Sequence, residues 1–315
     1  MSADSISLPD QPVPLLRLAR AAWARAEGRA LLIGALGCLS LLTIVFWTTL
    51  RHFVFVWSTD ENYSHGFLVP LISLYFANEA ARRGPVPLRS GVGLGVTLLV
   101  ISILGRLATI VVPIGFVGDG AFLLGLVGLC ALLFGSEALS RYGFALFFLI
   151  FMVPLPVALY TRIASPLQLL VSQVASSLLN AMGIPVLREG NLMTLPGDVR
   201  MFVAEACSGM RQLTGFLALT TAVAYLTPRP FWYRALLVVS SIPIAMTANM
   251  VRVTATGVIM YRFDPRYAEG TYHTIEGLLL MVLGLALLAA ECSVLNWLRS
   301  QRSFLNPRPP SPKLL

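Results

Sequence analysis

Charge is scarce in this chain. Only 12% of its 315 residues are charged while 57% are hydrophobic, and the mean hydropathy is +0.77. A water-soluble globule of that size needs more polar residues to cover its surface, so the soluble classes are excluded. Cysteine and histidine are also few, at 4 and 3 residues. Cys38, Cys130, Cys207 and Cys292 show no CxxC or other metal-type spacing, and neither a metal nor an organic cofactor is implied. Three of these cysteines lie inside apolar runs, where the thiol behaves as a small hydrophobe; Cys207 is the exception. No cleavable signal peptide is expected either, because the run 31–50 is too long for an h-region and its basic flank suits a span that stays in place.

What the chain has in quantity is apolar sequence. Runs able to cross a bilayer of roughly 30 Å occupy 31–50, 66–80, 91–110, 120–134, 142–160, 209–226, 235–260 and 274–297. The expected fold is therefore an all-α polytopic membrane protein of about eight transmembrane helices, the second and fourth short for a direct crossing. With a cytoplasmic N-terminus, one side carries Arg17, Arg20, Arg25, Arg29, Arg82, Arg83, Arg89, Arg141, Arg229, Arg234, Arg299, Arg302, Arg308 and Lys313. The other carries Arg51, Arg106, Arg162, Arg188, Arg200, Arg262 and Arg266. That roughly two-to-one bias places both termini in the cytoplasm. The net charge of +8 thus reads as topology and as contact with the lipid bilayer, with no nucleic-acid partner implied.

Three regions follow: a basic N-terminal segment, 1–30, an integral membrane domain, 31–298, and an irregular cytoplasmic tail, 299–315. The longest non-spanning stretch, 161–206, is expected on the outer, periplasmic side. Its first half reads as an amphipathic helix in the interface, with Ile163, Leu167, Leu170, Val171, Val174, Leu178 and Met182 at helical spacing and Gln168, Ser172, Ser176 and Asn180 between them. Its second half reads as a short β-hairpin, 191–195 with 199–203, turning at Pro196-Gly197-Asp198 in type II geometry and delivering the chain to Cys207. It is a lid or an irregular tether. Were 164–183 to span the membrane instead, every later segment would invert.

The polar residues that lipid should exclude carry the functional reading. Arg252 lies about eight residues, ~12 Å of helix rise, from the outer end of its run, where an arginine costs ~2.5 kcal/mol or more. It is either a structural arginine, snorkelling outward or paired with Glu276 or Glu205, or part of a site. Cys207 stands at the outer start of the sixth run, where a helix terminus favours thiolate, and His273 at the outer start of the eighth. Topology thus brings a nucleophile, an acid–base group and a fixed cation to one face. Supporting candidates are Arg211, four residues after Cys207, and Asn249, three before Arg252. Glu205 and Glu276 orient the set or are ordinary interface charges, and His65 lies at the outer mouth of the second run.

At these residues the sequence resembles the exosortase/archaeosortase family of membrane-embedded cysteine transpeptidases. The resemblance rests on "EACSGMRQL" with Cys207, "ANMVRVTATG" with Arg252 and "YHTIEG" with His273, supported by "YSHGFLVPLISLY" at 63–75 and "GIPVLREGNLMTLP" at 183–196. It implies a multi-pass enzyme of the bacterial inner membrane acting on membrane-anchored proteins that carry a C-terminal sorting signal: a motif such as Pro-Glu-Pro (PEP-CTERM), a transmembrane helix and a basic cluster. The cut end is transferred to a cell-envelope acceptor, for which a glycolipid or an exopolysaccharide-linked group is a candidate. The roles implied are Cys207 as nucleophile, His273 as general acid and base, and Arg252 as oxyanion stabiliser. The reading from another class is a transporter or envelope-assembly protein with Arg252 and Glu276 along a solute path, for which the paired broken helices of inverted-repeat transporters are missing.

Overall fold

In lipid a segment must satisfy its own backbone N–H and C=O groups, so apolar runs fold as helices before anything else is decided. The computed structural model describes residues 15–84, 86, 91–112, 115–203, 209–263, 279 and 282–297, in two units, 1–157 and 158–315. The first unit holds α1 (Leu15–Trp23), α2 (Ala26–Val45), α3 (Trp47–Thr59), a 3₁₀ turn (Glu61–Phe67), α4 (Val69–Ala81), α5 (Val92–Val111), α6 (Gly115–Phe148) and a second 3₁₀ turn (Leu149–Met152). Among the described residues four helices are long and apolar enough to cross a membrane: Ala26–Val45, Val92–Val111, Gly115–Met152 and Phe231–Arg262. Their outward faces carry large apolar side chains such as Leu36, Leu41 and Ile44 on α2 and Ile101, Leu104 and Ile110 on α5. Such a surface belongs against lipid.

Within this unit α5 and α6 pack antiparallel at close range. A Cβ on Gly95 would lie 2.5 Å from the backbone nitrogen of Leu132, so only glycine allows the approach. Ser102 of α5 donates to the Ala121 carbonyl at 2.6 Å. Arg106 is satisfied inside the unit: Nε donates to the Val45 carbonyl (3.1 Å), Nη2 to Thr48 Oγ1 (2.8 Å) and Nη1 to Thr109 Oγ1 (3.0 Å). The Val45 carbonyl sits where α2 breaks at Phe46 (φ −101°, ψ 20°). Two expected boundaries move. The runs 120–134 and 142–160 belong to one element interrupted at Gly135 (φ 84°, ψ 177°), a conformation that glycine alone adopts readily. The run 142–160 is itself cut, because α6 ends at Phe148 and Pro154 and Pro156, which cannot donate to a helix, lie before the next one begins.

The second unit contains α7 (Val157–Ala181, starting at the boundary), strands β1 (Leu187–Glu189), β2 (Leu192–Leu195) and β3 (Val199–Phe202), then α8 (Met210–Leu226), α9 (Phe231–Arg262) and the apolar α10 (Val282–Trp297). The expected two-stranded hairpin is present as β2–β3, with Leu192 opposite Phe202 and Leu195 opposite Val199, and β1 adds a third antiparallel strand. The turn differs from simple type II geometry: Gly197 (φ 84°) is followed by Asp198, also left-handed at φ 58°. Met193, Leu195 and Met201 face a core shared with Val171, Ala175 and Leu179 of α7 and Met246 and Val253 of α9.

The helix expected in the first half of 161–206 is also present, as α7, but three of its four polar residues turn inward while Asn180 stays exposed. Gln168, Ser172 and Ser176 are buried, while Leu169, Leu170, Leu178 and Met182 are exposed. Spacing marks a polar stripe without saying whether water or protein lies against it. Here protein does: Ser172 donates to the carbonyls of Leu169 and Gly190, both at 3.0 Å. An outward apolar face of this kind suits lipid better than the watery side of an interface.

Candidate active site

Two of the expected site segments, 204–208 with Glu205 and Cys207 and 264–278 with His273 and Glu276, lie outside the described residues. Their flanks are described, and they anchor the site. Helix α8 begins at Met210, one residue after the expected start, with Gly209 as its N-cap in the left-handed conformation (φ 85°, ψ 1°). Asn249 of α9 packs directly over that glycine: a Cβ there would meet Asn249 Nδ2 at 3.1 Å, Cγ at 3.2 Å and Cβ at 3.3 Å. The entrance of α8 is therefore seated on α9, and glycine meets both demands, positive φ and no side chain.

Asn249 is fully buried, and Arg252, one turn further on, is 4% exposed. Three residues apart on a helix, they share a face. The next residue, Val253, joins the core beneath the sheet, so Arg252 lies on α9 between the seat of Gly209 and the floor of β2–β3. Its carbonyl accepts a hydrogen bond from Thr256 Oγ1 at 3.0 Å. The helix also runs two residues beyond the expected end, to Arg262, which puts Arg252 about 15 Å from that terminus. A guanidinium at such depth is costly in lipid.

The expected partner of Arg211, Cys207, is not among the described residues, which start again at Gly209, the N-cap of α8. Arg211 itself occupies the first turn of α8, half-buried. His65 belongs to the first unit, in the 3₁₀ turn after α3. Its Nε2 lies 3.1 Å from the Phe151 carbonyl and so carries the proton of that bond. Burial pushes its pKa below the ordinary histidine value, partly offset by bonds to the backbone of Phe151 and Asn62. Nearby, Tyr63 Oη accepts from the Leu155 N–H (3.1 Å) and Trp57 Nε1 donates to the Met152 carbonyl (2.9 Å). Trp57, Tyr63 and His65 thus hold the segment 151–155, where the second 3₁₀ turn ends at Met152 and Pro154 bars its continuation.

Sequence reasoning passed over Gly209, although a glycine immediately ahead of an apolar run is a visible sign of a helix boundary. It also passed over the clamp made by Trp57 and Tyr63, whose partners lie more than 90 positions away. Among the described residues no group of three His, Cys, Asp or Glu side chains is placed to hold a metal ion.

Comparison with curated proteins and with solved structures finds no match to this chain. A family model described as transmembrane exosortase matches residues 57–290. That interval begins at the Trp57 clamp, takes in the sheet, the seat of Gly209 on Asn249 and buried Arg252, and contains positions 207 and 273. It is roughly three-quarters of the chain, and on it the protein belongs to the transmembrane exosortase family.

Proposed function

We propose that the protein is a cysteine transpeptidase of the bacterial inner membrane that cleaves membrane-anchored substrates near a C-terminal sorting motif at the periplasmic face. The observation that supports this most is the seating of Gly209 against Asn249, one turn from Arg252. One residue, Ser208, separates Cys207 from Gly209, so the chain between them reaches at most about 7 Å. In this reading the nucleophile works beside buried Arg252 of α9, and His273 follows α9 in the chain.

In the proposed reaction the Cys207 thiolate adds to the scissile carbonyl and the oxygen gains the charge, which Arg252 stabilises. The tetrahedral intermediate collapses as the C–N bond breaks, and His273 gives its proton to the leaving amine. The substrate remains as a thioester on Cys207. His273 then takes a proton from the envelope acceptor, the acceptor's nucleophilic atom forms the new acyl bond, and the C–S bond breaks to restore the thiolate. Water in the acceptor's place gives hydrolysis through the same thioester. A substrate whose helix stands in the bilayer presents its motif at the interface, which suits a nucleophile placed just ahead of a membrane-embedded helix.

The test is processing of a co-expressed substrate bearing motif, helix and basic cluster. Cys207→Ala should insert normally and leave the substrate at full length; cleavage by that variant would remove the nucleophile from the proposal. His273→Gln should fail likewise.

A further inference from the structure

The link between α8 and α9 builds a cationic pocket that the proposed reaction does not use. Thr227 closes α8, its N–H and Oγ1 both bonded to the Val223 carbonyl at 2.9 and 2.6 Å. Pro228 and Pro230 restrict the backbone on either side of Arg229, whose N–H donates to the Thr227 carbonyl at 2.8 Å. The Arg229 side chain is held as well: Nη2 donates to Asn296 Oδ1 of α10 at 3.1 Å, and the guanidinium carbon lies 6.0 Å from the Tyr233 ring centroid. With Val223, Leu226, Tyr233 and Cys292, Arg229 and Asn296 line an open cavity of ≈ 660 Å³.

The residues lining that cavity include a cation and no carboxylate. Among the described residues no carboxylate forms an ion pair with Arg229. Glu291 of α10 is engaged elsewhere, accepting from Ser240 at 2.7 Å. Its carboxylate also lies close enough to Tyr233 to act on it electrostatically, but it makes no ion pair with Arg229. Phe231, Trp232 and Trp297 are 79%, 55% and 60% exposed, aromatic side chains of the kind found where helices meet lipid headgroups. Leu226, half exposed at the lip, and Val223 supply an apolar wall on the side of α8.

A fixed guanidinium with no carboxylate partner, amide donors from Asn296, an apolar wall and exposed aromatic side chains together match one ligand chemistry: a phosphate bearing an acyl chain. We propose that this pocket binds the headgroup of an anionic phospholipid, with Arg229 on the phosphate, Asn296 holding the guanidinium and offering its amide protons, and the chain lying along Val223 and Leu226.

The experiment uses the full-length protein in nanodiscs of phosphatidylcholine with a minor fraction of phosphatidylglycerol, extracted into neutral detergent and examined by native mass spectrometry. Wild type should keep phosphatidylglycerol in preference to phosphatidylcholine. Arg229→Gln should retain about tenfold less, the loss expected for a charge-assisted contact, whereas Arg82→Gln, an arginine paired with Glu79, should retain the wild-type amount. Should Arg229→Gln not fold, Asn296→Ala makes the same comparison with a smaller loss, since the charge stays but its support goes. Equal retention by wild type and the folded variant overturns the proposal. So does a thermal shift by inorganic phosphate that equals the shift by phosphatidylglycerol, because the site would then take a soluble phosphate and no acyl chain.

Discussion

Gly209→Ala changes one hydrogen to a methyl group and should disable the enzyme without unfolding it. At φ 85° a residue with a Cβ is strained by ~1–2 kcal/mol. The added carbon would also sit 3.1 Å from Asn249 Nδ2 and 3.2 Å from its Cγ. Asn249 is fully buried in α9 and has no open space to swing into, so the entrance of α8 must shift instead. Taking about 2 kcal/mol in total and assigning it to the geometry of the site, processing should slow roughly thirtyfold. A small displacement of a tethered nucleophile is enough for a loss of that size. The assay is the fraction of co-expressed substrate cleaved over time, set against thermal unfolding of the purified variant in detergent. Asn249→Ala keeps only a Cβ at 3.3 Å and relieves the two closest contacts. The double variant should therefore show a coupling of about 1 kcal/mol in a thermodynamic cycle. Wild-type processing by Gly209→Ala, or strict additivity in the cycle, would refute the reasoning.

Three further outcomes follow. Arg252→Lys keeps the charge and loses the planar fork, so processing should fall about tenfold to a hundredfold with membrane insertion intact; near-full activity would argue against a bidentate contact to the oxyanion. Tyr63→Phe removes the acceptor for the Leu155 N–H, so the first unit should lose ~1 kcal/mol, read as a lower unfolding midpoint, and an unchanged midpoint would contradict the clamp. His65 gives a pH dependence whose sign is fixed. Its folded pKa is depressed below 6.5 by burial, so the unfolded chain binds the proton more readily. Its stabilising contribution is then complete above about pH 6.5 and declines as the pH falls through that value toward the depressed one. His65→Gln should flatten the pH dependence of the unfolding midpoint over that window, and an unaltered profile would count against it.

Much of this architecture could be read from residues. The apolar run that becomes α8 is legible to within one residue because polar residues give way to a long apolar stretch there. The β2–β3 hairpin was legible from two alternating runs around Pro196-Gly197-Asp198. The sidedness of α7 was not, since a stripe of Gln168, Ser172 and Ser176 has the same period whether it meets water or protein, and in a lipid-facing helix the usual inference inverts. The break at Gly135 was hidden for a similar reason: a glycine inside an apolar run is compatible with an unbroken helix, and its φ is decided by packing. In the site, Arg252 announced itself by the cost of burying it. Asn249 was legible as a polar residue one turn away, but its contact with Gly209 joins positions forty residues apart. No local pattern encodes such a contact.

The central claim is that Cys207 carries the substrate as a thioester. Mass spectrometry of the full-length protein co-expressed with a tripartite-tailed substrate tests it most directly. The account predicts an adduct on Cys207 whose mass equals the substrate's N-terminal fragment, released by hydroxylamine, together with a new substrate C-terminus near the sorting motif. Both should vanish in Cys207→Ala. A cleaved substrate in the Cys207→Ala strain, or an adduct mapped to another residue, would contradict it.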